Sequence, residues 1–542
     1  AAWVRALQGL RATGAARDTA TTLRALGDMT EPGSTRAAAL AEEAGAWQEA
    51  GAPGDAAEAA ALAWKNTPGD ANLLVRALAL ASEAGDDELL VKLDRVFMAR
   101  NDRPGLSPSL HLAVARALRQ DPRADGSSLM FHVDKALEVD GSWQVRLLAV
   151  DAARRLRDPA ALVHHIAQAL PLAPHAPLAA ALAVEATRTA LKALADPSRA
   201  AWFAQKADAL APGDMAIQSQ LAEVLCDEPS LAALGLVAAR KALDAGASLV
   251  TVMAWATRAH DHLGDTRHAA VARDAHRHLG GDAALPDVPT PALPSRREAT
   301  RPVDLARDRA WLLPGTGHHL PCLLFAAGAP VMHTWVGRPD LPYRPFTADE
   351  AELLVRDTRY AKALVGEVLP CVSSDLPGAH LTGTVTPQLA LGPDVLAAPD
   401  VVRRALAVLG SVTVRWGLEP ALLPSVGDVA RVRDALVASC AEPVDGDALR
   451  LPPGAREEVR ARLRDLSALP PVSDADWADD CRTLLFRLAF VSAGDVRRAV
   501  EALARFAPLQ APAPLQTPWG RALVKWAALG DALEVRGRLG LE

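Results

Sequence analysis

Apolar residues recur every three to four positions along most of this chain, the spacing of one face of an α-helix. From Ala1 to about Asp282 the helical segments are short and come in pairs. In DPSRAAWFAQKADALAPGD (Asp196 to Asp214), Ala200 and Ala207 put small residues on one face and Pro212 ends the helix. AAEAAALAWKNTPGD repeats this with Ala56, Ala63 and Pro68. ALVHHIAQALPLAP repeats it with Ala169 and Pro174, Leu162 replacing the first small residue. The equivalent position recurs at Ala25, Ala63, Val96, Ala136, Ala169, Ala207, Ala242 and Ala275, in steps of 33 to 40 residues. Turn signals such as EAGDD (Glu83 to Asp87) and HLGD (His262 to Asp265) fall between the two helices of a unit. A period of this length predicts an array of about eight helical hairpins, each burying its apolar stripe against its neighbours.

The repeat ends at ALPDVPTPALPSRREATRP (Ala284 to Pro302), which has five prolines and no apolar periodicity. It reads as a semi-extended connector. Beyond it, TADEAELLVRDTRYAKALVGEVL (Thr347 to Leu369) predicts a capped amphipathic helix and TVTPQLAL a strand. Helices are expected at Asp400–Trp416, Val426–Cys440, Pro453–Leu466, Asp474–Val491 and Asp495–Phe506. SVGD (Ser425 to Asp428) and SDAD (Ser473 to Asp476) have the capping-box layout with Asp at the end. TPWG, with Thr517 as cap and Pro518 at the first helical position, opens a final helix. The expected fold class is mainly α. An α-α superhelical solenoid (1–282) is followed by a Pro-rich linker (283–303) and a mostly helical α+β domain (304–542).

Composition narrows the function classes. Half of the 542 residues are hydrophobic, but aromatics are only 4%, so the core must come from Ala, Leu and Val. The net charge of -7 and the lack of a long basic run argue against a nucleic-acid partner. Arg exceeds Lys, and Asn is nearly absent, occurring only at Asn66, Asn72 and Asn101, a bias that points to a GC-rich, bacterial source. The cysteines Cys226, Cys322, Cys371, Cys440 and Cys481 are odd in number and form no CxxC, so neither a zinc ribbon nor a disulfide framework is expected. A reduced, cytoplasmic compartment fits. Leu320 to Gly337 is uncharged but broken by Pro321, Pro330 and His333, which reads as a buried part of a domain and a poor membrane span. Ala1 is not Met and falls in a helical pattern, so the chain is expected to be a piece of a longer protein.

The paired helices, their small residues and their terminal prolines resemble the tetratricopeptide repeat. That resemblance implies a superhelix whose concave face, lined by first helices, takes a peptide or a helix of a protein partner. Clamps for a C-terminal carboxylate in this family use paired Asn with Lys and Arg. Only Asn72 falls on a predicted first helix here, so a chaperone-tail receptor is not expected.

LALGPDVLAAPDVVRRALAVLGSV (Leu389 to Val412) reads as strand, turn and helix. It is similar in layout to HExxH zinc peptidases of the CAAX prenyl protease class. It resembles more closely a decayed form of that domain found after tetratricopeptide repeats. The matching features are LALGPDVL, VLG (Val408 to Gly410) and WADDCRTLLFRLAFVSAGDV with Trp477, Arg487 and Gly494-Asp495, over about Asp349 to Phe506. The chemistry does not carry over. A zinc peptidase needs two His four apart on one helix face and a Glu beside the first. Those positions hold Ser411, Arg415 and Val412, the third ligand falls on Arg482, and no His-Glu pair exists in the chain.

Other candidate chemistry is thin. HDHLGDTRHAAVARDAHRH (His260 to His278) holds five of the fourteen histidines. His260, His262 and His268 flank one turn, but with His276 and His278 about 12 Å further along the helix and no supporting carboxylate spacing, the cluster reads as solvated surface. His164-His165 stands where the repeat places aromatic packing residues. GTGHHLPC (Gly315 to Cys322, with His318 and His319) and His333 form no complete ligand set and read as a loop or remnant. His380 reads as a lone loop histidine, and Glu457, Glu458, Arg460, Arg462 and Arg464 as a solvated face with helix-spaced ion pairs. No GxSxG, P-loop or GxGxxG occurs. No catalytic, cofactor-binding or metal-binding residue is therefore expected. The reading is a non-catalytic scaffold binding protein partners through the solenoid. The alternatives are a metal-dependent hydrolase or peptidase with an unrecognised site, and a sensor of peptides or small ligands in a vestigial peptidase cleft.

Overall fold

The computed structural model describes residues 2–281, 298–313, 319–336, 338, 341–383, 386–423, 426–440, 451–467, 472–511 and 513–541, leaving aside the side chains of 2–3, 330–336 and 426. The chain is mainly α-helical with one small sheet, and it divides into two compact units at Pro212 and Gly213.

The first unit is built of helical hairpins. They pair α1 (Ala2–Ala12) with α2 (Ala16–Asp28), α3 (Ser34–Glu49) with α4 (Pro53–Asn66), and α5 (Ala71–Ala84) with α6 (Asp87–Ala99). There follow α7 (Pro108–Gln120) with α8 (Gly126–Leu137), α9 (Trp143–Leu156) with α10 (Pro159–Ala169), and α11 (Ala176–Lys192) with α12 (Pro197–Leu210). The small positions found by period lie where expected: Ala63, Ala136, Ala169 and Ala207 are buried, each on the second helix of its pair. Two positions depart. Val96 is only half-buried beside buried Phe97, and Ala25 is exposed while Gly27 packs against Leu40. The register assigned to the first hairpin is therefore off, because its helix turns a glycine inward. EAGDD behaves as a turn signal: Gly85 is left-handed at φ 67° and the Asp86 side chain caps α6 by accepting from Leu89 N.

The second unit begins with two further hairpins, α13 (Met215–Leu225) with α14 (Ala232–Asp244) and α15 (Leu249–His262) with α16 (Thr266–His278). Ala242 and Ala275 are buried in them. Then come α17 (Arg309–Leu312), α18 (His319–Val336), α19 (Ala348–Val365), α20 (Pro393–Leu396), α21 (Asp400–Arg415), α22 (Val426–Ala438) and α23 (Pro453–Ser467). α24 (Asp474–Ala493), α25 (Val496–Arg505), α26 (Pro518–Leu529) and α27 (Ala532–Arg538) complete it. Within this unit the hairpins pack on the C-terminal helices: α26 meets α14, α15 and α16, and α25 meets α16. Arg497 N donates to Asp274 Oδ2 at 3.0 Å, and Lys525 bonds Asp244. The sequence pattern changes at the Pro-rich connector, of which 283–297 lies outside the described residues. Its end is bound into the second unit by Thr300 N donating to Leu539 O and Val303 N to Leu364 O.

The sheet has the order β1-β2-β4-β3, with β1 (Tyr343–Arg344), β2 (Cys371–Ser374), β3 (Ala379–Thr382) and β4 (Gln388–Leu391). β2 and β4 run parallel (Cys371 opposite Leu389), and β3 is antiparallel to β4 (His380 opposite Ala390). The sequence pattern yields β4 but not its partners. The expected helix after Thr347 is real and its capping box is formed, but it stops at Val365, where Gly366 adopts φ 85°. Among the described residues, no helix is long and apolar enough to cross a membrane.

The packing makes a test by truncation. A fragment of residues 213–542 is expected to melt cooperatively. A fragment of 283–542, which strips α13–α16 from α25 and α26, is expected to lose cooperative melting and bind a hydrophobic dye. Equal melting temperatures for the two fragments would contradict this division.

Candidate functional site

Four places hold side chains of the kind that do chemistry or recognition. The first is the face of the first helices in the first unit. α7 touches both α5 and α9, as stacked hairpins require. Between α7 and α9 lies a groove of about 630 Å³ lined by Arg116, Arg119, Gln120, Trp143, Gln144, Leu147, Leu148 and Pro174. Arg116 is exposed and Trp143 half-buried. Arg119 is paired with Asp151 at 2.7 Å.

The second is the strand-turn-helix stretch, which the structure renders as β4, α20 and α21. Gly410 lets the helix approach the strand: a Cβ there would stand 2.7 Å from Leu389 Cδ1. VLG is thus a packing contact. Val412 is fully buried, and Ser411 Oγ donates to Ala407 O at 2.7 Å and accepts from Leu369 N at 3.0 Å. Arg415 bonds Val365 O, and its guanidinium occupies the space a Cβ at Gly366 would need. Arg482 meets other partners, lying 4.8 Å from the Trp519 ring centroid and bonding Asp479 and Leu423 O. Ser411 and Arg415 therefore reach one connection, and Arg482 another. The motif residues of the later run pack as well: Trp477 stacks on Phe325, and Arg487 lies over Trp526. The helix also buries charge that its apolar pattern conceals. Arg403 and Arg404 are 8% and 5% exposed and both bond Asp357 of α19, at 2.7 and 3.2 Å.

The third is the histidine-rich turn, where the solvated-surface reading is corrected. His262 and His278 are exposed, but His260 and His276 are buried, because α25 and α26 pack onto this hairpin. His260 Nε2 lies 2.9 Å from Ala528 O, and its pKa is lowered, first by burial. Asp265 caps α16 by accepting from His268 N, and its second oxygen lies 2.7 Å from His268 Nδ1. HLGD marks Asp265 as a cap in the sequence, and the helix it caps brings its second oxygen to His268.

The fourth went unnoticed in the sequence. Asp94 (α6), His111 (α7), Ser128 and His132 (α8) form a buried chain. His132 Nε2 lies 2.7 Å from Asp94 Oδ1, His132 Nδ1 2.7 Å from His111 Nδ1, and Ser128 Oγ donates to Asp94 Oδ2 at 2.5 Å. Burial, then the neighbouring His132, lowers the His111 pKa to about 4. The only sequence signal was polar residues at helix-spaced buried positions.

The remaining candidates stay apart. His165 is buried and His164 exposed, so the pair splits between core and surface. His318 lies outside the described residues, as does the His333 side chain. His319–Cys322 opens α18 and is not a loop. Cys322 and Cys481 are 3.7 Å apart, with Trp477 Nε1 donating to Cys322 Sγ at 3.2 Å. His380 lies on β3, not in a loop, 2.7 Å from Pro377 O. In α23, Arg462 pairs with Glu458 at 3.5 Å and Asp465 at 3.6 Å, and Glu457 and Glu458 are exposed as expected.

Neither a protein-family model nor a curated relative matches the chain. Among solved structures it is similar to a tetratricopeptide repeat protein from Parabacteroides merdae. The identity is 12% over 47% of this chain and 97% of that one, with a TM-score of 0.22. A second is the C-terminal part of a TPR repeat-containing protein from Cytophaga hutchinsonii, at 10% identity over 49% and 98%, TM-score 0.23. A third is Naa15/Naa10 bound to HypK-THB, at 11% identity over 97% and 78%, TM-score 0.20. Scores this low carry no argument beyond themselves. The TPR-like helical repeat is shown by the stacked hairpins. The comparisons give the peptidase resemblance no support.

Two measurements test these sites. Asp357→Ala removes the buried carboxylate shared by two buried guanidinium groups and is expected to cost about 3–5 kcal/mol of stability in denaturant unfolding. An unchanged midpoint would contradict the pairing. The folded chain resists protonating His111 while the unfolded chain takes up that proton at an ordinary histidine pKa. Stability is therefore expected to fall as pH drops from about 6.5 toward about 4. His111→Gln should flatten that dependence, and an identical pH profile would count against it.

Proposed function

We propose that this chain is a non-catalytic scaffold that binds a protein partner along the first-helix face of its repeats. The observation that supports it best is the groove between α7 and α9, where Trp143 and Leu147 lie beside Arg116 and Arg119. An aromatic platform next to arginines suits a peptide or helix carrying an apolar anchor beside Asp or Glu. Such anchors tolerate partners of varied sequence, which fits a scaffold. The burial of Ser411 and Val412 and the engagement of Arg415 with Val365 O support the non-catalytic half of the reading. Peptidase ancestry for the second half rests on its short sequence motifs alone.

Selection of the full chain against a displayed peptide library tests this. Peptides pairing an aromatic or aliphatic residue with acidic neighbours should enrich. Trp143→Ala with Arg116→Glu should weaken a selected peptide about tenfold or more. Binding unaffected by the double variant would overturn the assignment to this groove. Chelator-sensitive cleavage of a bound peptide would overturn the non-catalytic reading.

A further inference from the structure

The turn between α15 and α16 gathers three side chains of ligand type. One ligand atom each of His260, Asp265 and His268 lies within 4.8 Å of the others. What separates this turn from an ordinary capped one is His260. It is 6% exposed and its Nδ1 has no hydrogen-bond partner, although a buried polar group is ordinarily matched. Its Nε2 lies 2.9 Å from Ala528 O. A carbonyl only accepts, so Nε2 carries the hydrogen and Nδ1 keeps its lone pair. That lone pair stands 3.7 Å from Asp265 Oδ2. Metal-binding histidines are prepared in the same way, one nitrogen held by a carbonyl and the other left bare.

We propose that His260 Nδ1, Asp265 Oδ2 and His268 Nδ1 form a binding site for a divalent transition cation of the Zn²⁺ type. Two imidazoles and a carboxylate suit that class of ion, with water in a fourth position. Metal bonds of about 2.0–2.1 Å in a tetrahedron put ligand atoms about 3.3 Å apart. The 3.7 Å between His260 and Asp265 needs only a small contraction. The 2.7 Å contact between His268 and Asp265 must open, and His268 must release its Nδ1 proton. The His260 and His268 rings are stacked, 17° from parallel with centroids 5.0 Å apart. Near-parallel rings cannot both aim an in-plane lone pair at one ion, so one ring must turn about its Cβ–Cγ bond. His260 is pinned to α26, whereas His268 sits on the first turn of α16 and is the ring that turns. Neighbouring polar groups are otherwise engaged: Asp261 holds Arg273 at 2.8 Å. A bound ion would tie the α15–α16 turn through His260 to α26.

The test uses the full chain without an affinity tag, cleared of metal by a chelator and titrated with Zn²⁺ by calorimetry. Co²⁺ absorption serves as a second readout of nitrogen and oxygen ligation. One equivalent is expected to bind. Asp265→Asn keeps the helix cap, and His268→Gln changes a residue at the rim. Each should weaken binding about tenfold or more while melting like the parent without metal. His262→Gln should leave affinity unchanged. Absence of one-to-one binding, or equal affinity in the Asp265 and His268 variants, overturns the site. A loss with His262→Gln equal to theirs overturns the assigned ligands. The outcome is independent of peptide binding in the first unit.

Discussion

Everything in this chain depends on helices coming close enough for alanine to fill the space between them. α4 buries Ala56, Ala57, Ala59, Ala60, Ala61 and Ala63, and α11 buries Ala179, Ala180, Ala183, Ala186 and Ala190. Such contacts demand short interaxial distances, and each alanine removes little apolar area from water. At roughly 25 cal/mol per Å², no single hairpin gathers enough burial to stand alone. Its stability comes from the neighbours on either side. The same constraint explains why α25 and α26 lie on α16, since a terminal hairpin with an open alanine face would have lost half its contacts.

That constraint also set what could be read in the sequence. A small or apolar residue every 33 to 40 positions is visible because close helix packing favours small side chains there. Where glycine replaced alanine, at Gly27, the position was missed. The turns were legible because Gly85 and Gly264, followed by capping aspartates, have a local conformational cause. The sheet was not legible for the converse reason. Its strands are four residues or fewer, too short to show an alternation, and their pairing is fixed by partners remote in sequence.

Buried polar groups were harder still. Arg403 and Arg404 sit in a largely apolar helix, and the buried carboxylate they share is Asp357, 46 and 47 residues earlier. Periodicity cannot report such a partner. The strand-turn-helix stretch therefore looked like the frame of a metal site. Its residues are in fact spent on packing and on holding neighbouring backbone: Gly410 packs on Leu389, and Ser411 and Arg415 hydrogen-bond Leu369 N and Val365 O. Shape was recoverable from short motifs, and what the side chains do there was not.

The histidine turn follows from the same economy of local rules. Capping uses one carboxylate oxygen: at Asp70, Oδ1 alone accepts from both Asn72 N and Leu73 N. The second oxygen of a capping aspartate is then available for other work. At Asp265 it faces His268, and buried His260 stands beside it with one nitrogen already committed to Ala528. The aspartate cap recurs along the repeats, and at this hairpin α26 packs over the turn; that cover is what buries His260 and fixes its tautomer. A residue legible as a helix signal thus gains a second role from packing that lies more than 260 residues away in the chain.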